Sequence, residues 1–370
     1  MEEWKEYKLK DVCTILGDGL HGTPIYDDKG EFFFINGNNL KDGRISIKND
    51  TKRVPNSEAN KYKKPLNNRT ILVSINGTIG NVAKYRDEKC ILGKSACFFN
   101  VKENVDLNFI YYVVANQQFK NTITQLATGT TIKNVSLETM RNYTFRIPPL
   151  SIQKQIGKIL SSFDDKIELN RRINDNLEQQ AQALFNEMFP HITEGENMIG
   201  DLIMPKRGKG LLSKNAIKGD IPVVAGGIEP ATYHNQANTT APVLTIAASG
   251  ANAGYINLWH IPVWASDSSY IDDSITPNVY FWYIMLKKRQ KEIFDAQVGS
   301  AQPHIYPKHI AELPMNVVFV EKIAEYNEIV TPIFEKKGQL YLESKRLTSL
   351  RDTLLPKLMS GELKINDINN

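Results

Sequence analysis

The chain is 370 residues long, 41% apolar and 23% charged, and its 45 basic and 41 acidic side chains leave a net charge of +4. At roughly 100–200 residues per domain that is two or three domains of ordinary globular composition, too mildly basic to announce a nucleic-acid binder. A mean hydropathy of -0.35 and no apolar run near ~18 residues argue against a membrane span, and MEEWKEYKLK lacks the apolar stretch of a signal peptide, while Cys13, Cys90 and Cys97 are too few for a disulfide framework or a four-cysteine zinc site, so a reducing, cytoplasmic setting is expected.

The first 146 residues are rich in Gly, Asn, Thr and aromatics. Short β-like runs at Phe32–Ile35, Thr70–Ile75 and Cys90–Leu92 are separated by turn signals such as Asp42-Gly43 and Asn76-Gly77. Gly17-Asp18-Gly19-Leu20-His21-Gly22 has the spaced glycines of a dinucleotide fingerprint. That fingerprint needs a following helix whose N-terminus receives the pyrophosphate, and Thr23-Pro24, a turn and a strand follow instead. Gly93-Lys94-Ser95 resembles the end of a P-loop, but Glu88 holds the opening glycine position, so that reading is rejected as well.

Residues 41–70 carry nine basic groups, Lys41, Arg44, Lys48, Lys52, Arg53, Lys61, Lys63, Lys64 and Arg69, against Asp42, Asp50 and Glu58, with Tyr62 interleaved. Such an excess is the footprint of phosphate contact, and equally that of a solvated lysine-rich loop. The loop Gly129-Thr130-Thr131-Ile132-Lys133-Asn134 is a candidate base-reading element, because glycine lets a backbone approach closely.

From Ile156 the apolar residues step by four and three: Ile156, Leu160, Phe163, Ile167, then Leu177, Ala181, Leu184 and Met188, with Asn170 and Asn174 in the intervening seam positions. That is a coiled-coil heptad pattern. Ser161 or Ser162 ahead of Asp164 and Asp165 reads as a start signal and Pro190 as the stop. The predicted helix, Phe163 to Met188, has 26 residues and would span roughly 39 Å at ~1.5 Å per residue.

The second half begins with a weaker basic group, Lys206, Arg207, Lys209, Lys214 and Lys218, and has a β-like run over Pro242–Ala247. From Gly219 to Leu286 there is no lysine or arginine, while Asp220, Glu229, Asp267, Asp272 and Asp273 are present. Base reading there would fall to Asn, Gln, Ser and His side chains. Val279–Leu286 is a strand or a short core helix. Gly299-Ser300-Ala301-Gln302-Pro303-His304 is a second glycine-led loop; His304 and His309 have no ligand partners at zinc spacing. A second seam runs Tyr326, Val330, Ile333, Leu340, Leu347, Leu354, Leu358, interrupted by Lys337, Ser344 and Arg351. Thr331-Pro332 predicts a kink or restart, and Gly361 follows the helix. Pro148-Pro149 matches an amino-methyltransferase motif only superficially, since Ile147 and Leu150 stand where that motif has asparagine and an aromatic. No convincing active site appears.

The two halves repeat. Leu107-Asn108-Phe109-Ile110-Tyr111-Tyr112 matches Pro277-Asn278-Val279-Tyr280-Phe281-Trp282 at an offset of 170, and Gly129, Ile159, Lys166, Leu177 and Leu184 fall on Gly299, Ile329, Lys336, Leu347 and Leu354. Upstream, Ile71–Ser74 with Gly77 and Gly80 resembles Val243–Ile246 with Gly250 and Gly254. The period is domain-sized. The economical arrangement is an α+β chain: strand-rich domains at 1–146 and 197–314, helical spacers at 147–196 and 315–370, and the two long helices antiparallel about a pseudo-two-fold axis. A spacer of that length suits two half-sites one DNA turn apart, ~34–36 Å; it would also suit a dimeric scaffold.

In this order the features resemble the specificity (S) subunit of a Type I restriction–modification system. The resemblance rests on the repeat, the Gly-Thr-Thr-Ile-Lys-Asn loop, Asp18-Gly19-Leu20-His21-Gly22-Thr23-Pro24, and Pro148-Pro149-Leu150-Ser151-Ile152-Gln153-Lys154-Gln155-Ile156, which is similar to the family's lead-in to its central helix. Ile152 replaces the usual glutamate there, and the second-half equivalent, Phe319 to Ile323, is degenerate. The resemblance implies a non-catalytic subunit with two target-recognition domains that read an asymmetric, bipartite duplex DNA target. It also implies two modification subunits using S-adenosylmethionine and restriction subunits using ATP and Mg²⁺, with no cofactor in this chain. The candidate DNA contacts are His21, Thr23, Lys52, Arg53, Lys61, Lys63, Lys64, Gly77, Thr78, Gly129, Thr130, Thr131, Lys133 and Asn134 in the first half, and Lys206, Arg207, Ser249, Asn252, Ser300, Gln302 and His304 in the second. Gln153, Asp165, Lys166, Asn170, Arg171, Arg172 and Lys336 are the candidate partner-binding residues. The alternatives are a specificity module of another methyltransferase system and a coiled-coil scaffold without a DNA role.

Overall fold

The structure, a computed structural model, describes residues 4–299 and 301–363. The chain divides into two compact units, one made of residues up to 166 with those from 346 onward, the other of residues 167–345.

In the first unit the strands are β1 (Lys5–Lys8), β2 (Cys13–Asp18), β3 (Phe32–Ile35), β4 (Leu40–Lys41), β5 (Arg44–Ile45), β6 (Arg53–Val54), β7 (Thr70–Ser74), β8 (Val82–Lys84), β9 (Cys90–Leu92), β10 (Ala96–Val101) and β11 (Thr144–Ile147). They form an antiparallel sheet in the order β2-β10-β7-β8, a three-stranded sheet β6-β3-β9, and the pairs β1-β11 and β4-β5. β7 and β10 are buried at every position, which is why they read as unbroken apolar runs. Asp42 and Gly43, with φ of 52° and 76°, supply the two left-handed residues that a two-residue hairpin between β4 and β5 requires. The helices are α1 (Asn56–Tyr62), α2 (Leu107–Ala115), α3 (Gln117–Gln125), α4 (Leu137–Asn142) and the start of α5 (Leu150–Met188).

The second unit repeats the plan. Its strands β12 (Asn197–Met198), β13 (Lys206–Arg207), β14 (Ile221–Val224), β15 (Thr232–His234), β16 (Val243–Ala247), β17 (Ile256–Trp259), β18 (Trp264–Ala265), β19 (Ser268–Ile271) and β20 (Pro314–Met315) form sheets β13-β19-β16-β17 and β15-β14-β18 and the pair β12-β20. The parallel pair β14-β18 matches β3-β9. Helices α6 (Val279–Lys288), α7 (Gln290–Asp295) and α8 (Pro307–Ala311) follow the sheet as α2, α3 and α4 do, before α9 (Val320–Ser360). Val279–Leu286 is thus helix, buried along its whole length. Among the described residues the second unit has no element between β14 and β16 like α1.

One difference between the repeats has a direct chemical reason. In the first unit Asp106 caps α2, accepting from the Phe109 N–H at 2.8 Å. α5 passes close by at Gly157, where an added Cβ would sit 2.4 Å from the Asp106 carboxylate. In the second unit the position 170 residues on is Asn327, and its side chain reaches across to accept from Tyr280 N at 3.1 Å, capping α6 in place of a local acid. Gly157→Ala should therefore lower the stability of the first unit by about 1–3 kcal/mol, despite alanine's better helix propensity. A chemical-denaturation curve showing stabilisation would contradict this account.

Within each unit, segments of α5 and α9 pack side by side and antiparallel. In the first, Ile156 and Leu160 share a core with Leu355 and Leu358, and Asp164 pairs with Arg351 at 2.5 Å. In the second, Asn170 Nδ2 donates to Glu343 at 2.8 Å and Ser344 at 3.3 Å, Glu178 pairs with Lys337, and the Tyr326 hydroxyl donates to Ala181 O at 2.9 Å. The three polar residues that interrupt the second seam thus each meet a polar residue of the first helix.

Two helix boundaries differ from the sequence reading. α5 begins at Leu150, not Phe163, and Ser161 and Ser162 turn their hydroxyls onto carbonyls three residues back. The start is set by Pro148-Pro149: Pro149 O accepts from Ile152 and Gln153, and the Gln153 side chain ties Pro148 O at 2.8 Å to the Asp106 N–H at 3.0 Å. α9 runs through Thr331-Pro332 without a break. Tyr326, Val330 and Phe334 are fully buried on both sides of that site. Their packing outweighs the roughly 3 kcal/mol cost of an interior proline, and Thr331 Oγ1 donates to Asn327 O at 2.7 Å.

Candidate nucleic-acid interface

In the first unit, the loop at Gly129–Asn134 is closed by two backbone hydrogen bonds between Thr128 and Asn134, at 2.9 and 2.7 Å. Gly129 has φ of 105°, and a Cβ there would lie 2.4 Å from Ile132 O. The turn after β7 buttresses this loop. Gly77 N donates to Lys133 O at 3.3 Å, Val135 N to Ile75 O at 2.8 Å, and Asn76 Nδ2 to Asn134 Oδ1 at 3.3 Å. Thr130, Thr131, Ile132 and Lys133 are left exposed at the tip. Beside them Asp18, His21, Lys94, Asn134 and Ser136 line a hollow of about 280 Å³, across which His21 Nε2 meets Asp18 at 2.6 Å.

The second unit builds the same loop from different side chains. Val298 and His304 exchange backbone hydrogen bonds at 3.1 and 2.8 Å, Gly250 N donates to Pro303 O at 3.0 Å, and Ile305 N to Ala248 O at 3.0 Å. Gly299, with φ of 96°, stands where Gly129 does, its Cβ position 2.6 Å from Gln302 O. His304 stacks on Tyr306 at 5.9 Å, and the Tyr306 N–H donates to His309 Nδ1 at 3.3 Å. The duplication therefore reaches individual hydrogen bonds of the loop.

Residues 1–179 match the family described as Type I restriction modification DNA specificity domain. A type I specificity subunit of Mycoplasma pneumoniae is 28% identical over 353 residues, covering 89% of this chain and 88% of its own. Over nearly its whole length the chain is thus similar to Type I specificity subunits. The MjaIX specificity subunit of Methanocaldococcus jannaschii, 22% identical, is covered over 95% of its length and covers 99% of this one. A crystal structure of the S subunit of a Type I system from M. genitalium shares the fold, with a TM-score of 0.58 at 24% identity over 97% of this chain and 96% of that one.

The structure brings His21, Gly77, Gly129, Thr130, Thr131, Lys133 and Asn134 together around one loop. Thr78 lies in the buttressing turn, its carbonyl accepting from Ser74 Oγ. Thr23 is exposed on the segment that leads from the hollow to α1, where Ile25 N donates to the buried Glu58 carboxylate at 2.9 Å. The basic residues lie elsewhere in the unit, in or beside β6 and α1. Lys52, Lys61 and Lys63 are exposed and Lys64 is half-buried, while Arg53 lies over the Phe33 ring at 4.4 Å. Arg69 differs: it donates to the carbonyls of Val101, Lys102 and Val105 at 2.7–2.8 Å and is structural. In the second unit Lys206 donates to Ser274 Oγ at 3.1 Å and Arg207 pairs with Asp267 at 2.6 Å. Ser249 and Gln302 flank the loop with His304, the half-buried Asn252 lies in the turn after Gly250, and Ser300 lies outside the described residues.

Two of the candidate partner-binding residues are corrected. Gln153 and Asn170 are only 4% and 0% exposed and the hydrogen bonds they donate stay inside the chain, so neither presents a surface. Asp165, Arg172 and Lys336 are exposed and Lys166 is half-buried. Arg171 is held on its own helix by Glu168 at 2.7 Å and by Asp175. Sequence reading missed Asn76, Lys94 and Asp267. Lys94 sits in the rejected P-loop match, and Asp267 had been counted only as an acid in a stretch without bases.

Inside each unit a carboxylate of α5 gathers a tyrosine and a cation. Asp164 accepts from the Tyr112 hydroxyl at 2.5 Å and holds Arg351; Glu178 accepts from Tyr283 at 2.8 Å and holds Lys337. Burial, then the carboxylate, push both phenols well above their usual range. Burial alone would raise Glu178, but Lys337 and the Tyr283 hydroxyl hold it below the ordinary carboxylate value. These are locks between helices, not reactive groups. Burial lifts the Cys13 and Cys90 thiols to about 12, so they are poor nucleophiles. Among the described residues no group of three or more His, Cys, Asp or Glu is placed to hold a metal, and no helix is long and apolar enough to cross a membrane.

Proposed function

We infer that the chain is the sequence-specific DNA-recognition subunit, not itself catalytic, of a Type I restriction–modification system. The observation that carries this reading is the duplicated glycine-led loop, hydrogen-bonded in the same way in both units and differing in the side chains it exposes. Two frames with different tips suit two different half-sites of one asymmetric, bipartite duplex DNA target. In this proposal residues 1–146 and 197–314 are the two target-recognition domains and 147–196 and 315–370 the spacers. The chain recruits two modification subunits and restriction subunits, with S-adenosylmethionine, ATP and Mg²⁺ belonging to those partners. Asp165, Lys166, Arg171, Arg172 and Lys336 are proposed for the surface toward the modification subunits. Unimpaired methylation by complexes with charge reversals at these five would defeat that assignment.

Methylome sequencing of a host expressing the system is the direct test. A bipartite methylated motif is expected, and exchange of residues 1–146 for another recognition domain should alter one half-site and leave the spacing intact. If both halves changed together, the division of labour would be wrong. Binding should weaken linearly in log affinity against log salt through the phosphate contacts of Lys52, Lys61 and Lys63. A flat response would favour a scaffold without a DNA role.

A further inference from the structure

Register fixes which residues of the two units correspond around the loop. β2 and β13 are each the edge strand of a four-stranded sheet, and Asp18 opposite Cys97 occupies the place of Arg207 opposite Ser269. The adjoining glycines agree. A Cβ on Gly19 would meet Leu92 O at 2.1 Å, and one on Gly208 would meet Ala265 O at 2.4 Å. The strand ends facing them also correspond. Ile75 N donates to Ser95 O at 2.9 Å, as Ala248 N does to Asp267 O at 3.1 Å. Charge at the loop mouth is thus inverted between the repeats. The first unit has the acid on the edge strand and basic groups, His21 and Lys94, around it; the second has the base on the edge strand and the acid opposite.

In the second unit these residues form a chain. Ser249, in the turn that buttresses the loop, donates from Oγ to Asp267 Oδ2. Asp267 Oδ1 accepts from Arg207 at 2.6 Å. Both ends of the ion pair remain open to solvent, with 41% of the Arg207 side chain and 38% of the Asp267 side chain exposed. A guanidinium has five donors in a rigid plane, so one Nη tied to a fixed carboxylate leaves an edge free and aimed. An aimed guanidinium edge suits the paired O6 and N7 acceptors of guanine in the major groove. A bare phosphate contact needs no such aiming. The residues from 219 to 286 contain no lysine or arginine at all, and Arg207 is the one arginine of residues 197–286.

We propose that Arg207 reads a guanine in the half-site of the second unit and that Asp267, held by Ser249, is its positioning residue. The proposal rests on the DNA-recognition reading above, and the same experiment separates the two. The chain is expressed with its modification subunits, and the methylome and the salt dependence of binding are measured for wild type, Arg207→Lys, Arg207→Ala, Asp267→Asn and Asp267→Ala. All four variants are expected to relax one G·C position in one half-site, lowering discrimination there about tenfold or more, with the other half-site and the spacing unchanged. Asp267→Asn keeps the shape but loses the charge that holds the guanidinium, so it should reproduce the effect of Arg207→Lys at the same position.

Uniform weakening across all sequences by Arg207→Ala, with the salt slope reduced by about one, would make Arg207 a phosphate contact and overturn the proposal. An unchanged motif in Arg207→Lys would overturn it too. Asp267 variants that keep the G·C position while Arg207→Lys loses it would overturn the positioning role. Arg207→Lys keeps charge and approximate length, so it carries the decision if the alanine variants fail to assemble. Absence of any bipartite motif in the wild type would instead defeat the DNA-recognition reading itself.

Discussion

Phe185→Ala is expected to destabilise the second unit by about 3–5 kcal/mol, the largest effect of any single truncation considered for this chain. Phe185 is fully buried. Its ring lies 5.2 Å from Phe189, 5.5 Å from Phe281 and 5.4 Å from Tyr326, joining α5 to α6 and α9 in one aromatic cluster. Truncation removes the ring's transfer energy and leaves a hole between three helices that cannot all move inward. Native-state hydrogen exchange of the α6 amides is the proper measurement, because it reports one unit of a multi-unit chain. Leu169→Ala is the control. Leu169 is 48% exposed on the same helix and should cost less than about 0.5 kcal/mol. Equal losses in the two variants would mean that the aromatic cluster does not organise the unit.

The second unit should also lose stability on mild acidification. His260 packs against α9 at Gly338, where a Cβ would come 2.9 Å from its ring. Burial, with Lys337 adding and Glu178 opposing, pushes its imidazole from 6.5 down to about 4. The folded state therefore takes up this proton less readily than the unfolded state. Stability is full above pH 6.5 and declines as the pH falls toward 4, by about 3 kcal/mol at ~1.4 kcal/mol per pH unit. Glu178 adds a second loss below its ordinary value of 4.5, since its folded pKa is depressed and its pairing with Lys337 ends on protonation. His260→Gln should flatten the dependence between pH 6.5 and 4 and leave the lower-pH loss in place. An unaltered slope in that variant would show that His260 is not the group responsible.

Much of the architecture was legible because it is local. Strands such as Phe32–Ile35 and Thr70–Ser74 follow from β-branched and aromatic runs bounded by turn residues. The helix seams follow from period, and seam residues such as Leu160, Ala181, Val330 and Leu358 are buried. Phe185 and Phe189 escaped that reading. Phe185 lies off the heptad seam on α5 and Phe189 just past its end, both against Phe281 of α6, and no helix period announces a second partner. The early start of α5 escaped for a related reason: local capping signals at Ser161 and Asp164 outscored the proline pair that begins the helix.

The amino-acid sequence by itself determined the duplication, the two glycine-led loops and the heptad register, because each depends on spacing along the chain or on a backbone conformation that glycine alone adopts cheaply. Only the tertiary structure decided what the polar side chains do. Arg69 read as part of a basic surface, Gln153 as a partner contact and Asn170 as both a seam residue and a partner contact, and all three donate to groups inside the chain. Asp164 and Arg351, 187 residues apart, lock two helices. Arg207, Asp267 and Ser249 meet at one loop. An isolated polar side chain carries no period, so its partner is set by the strand and helix packing that brings distant segments together, and spacing cannot reveal it.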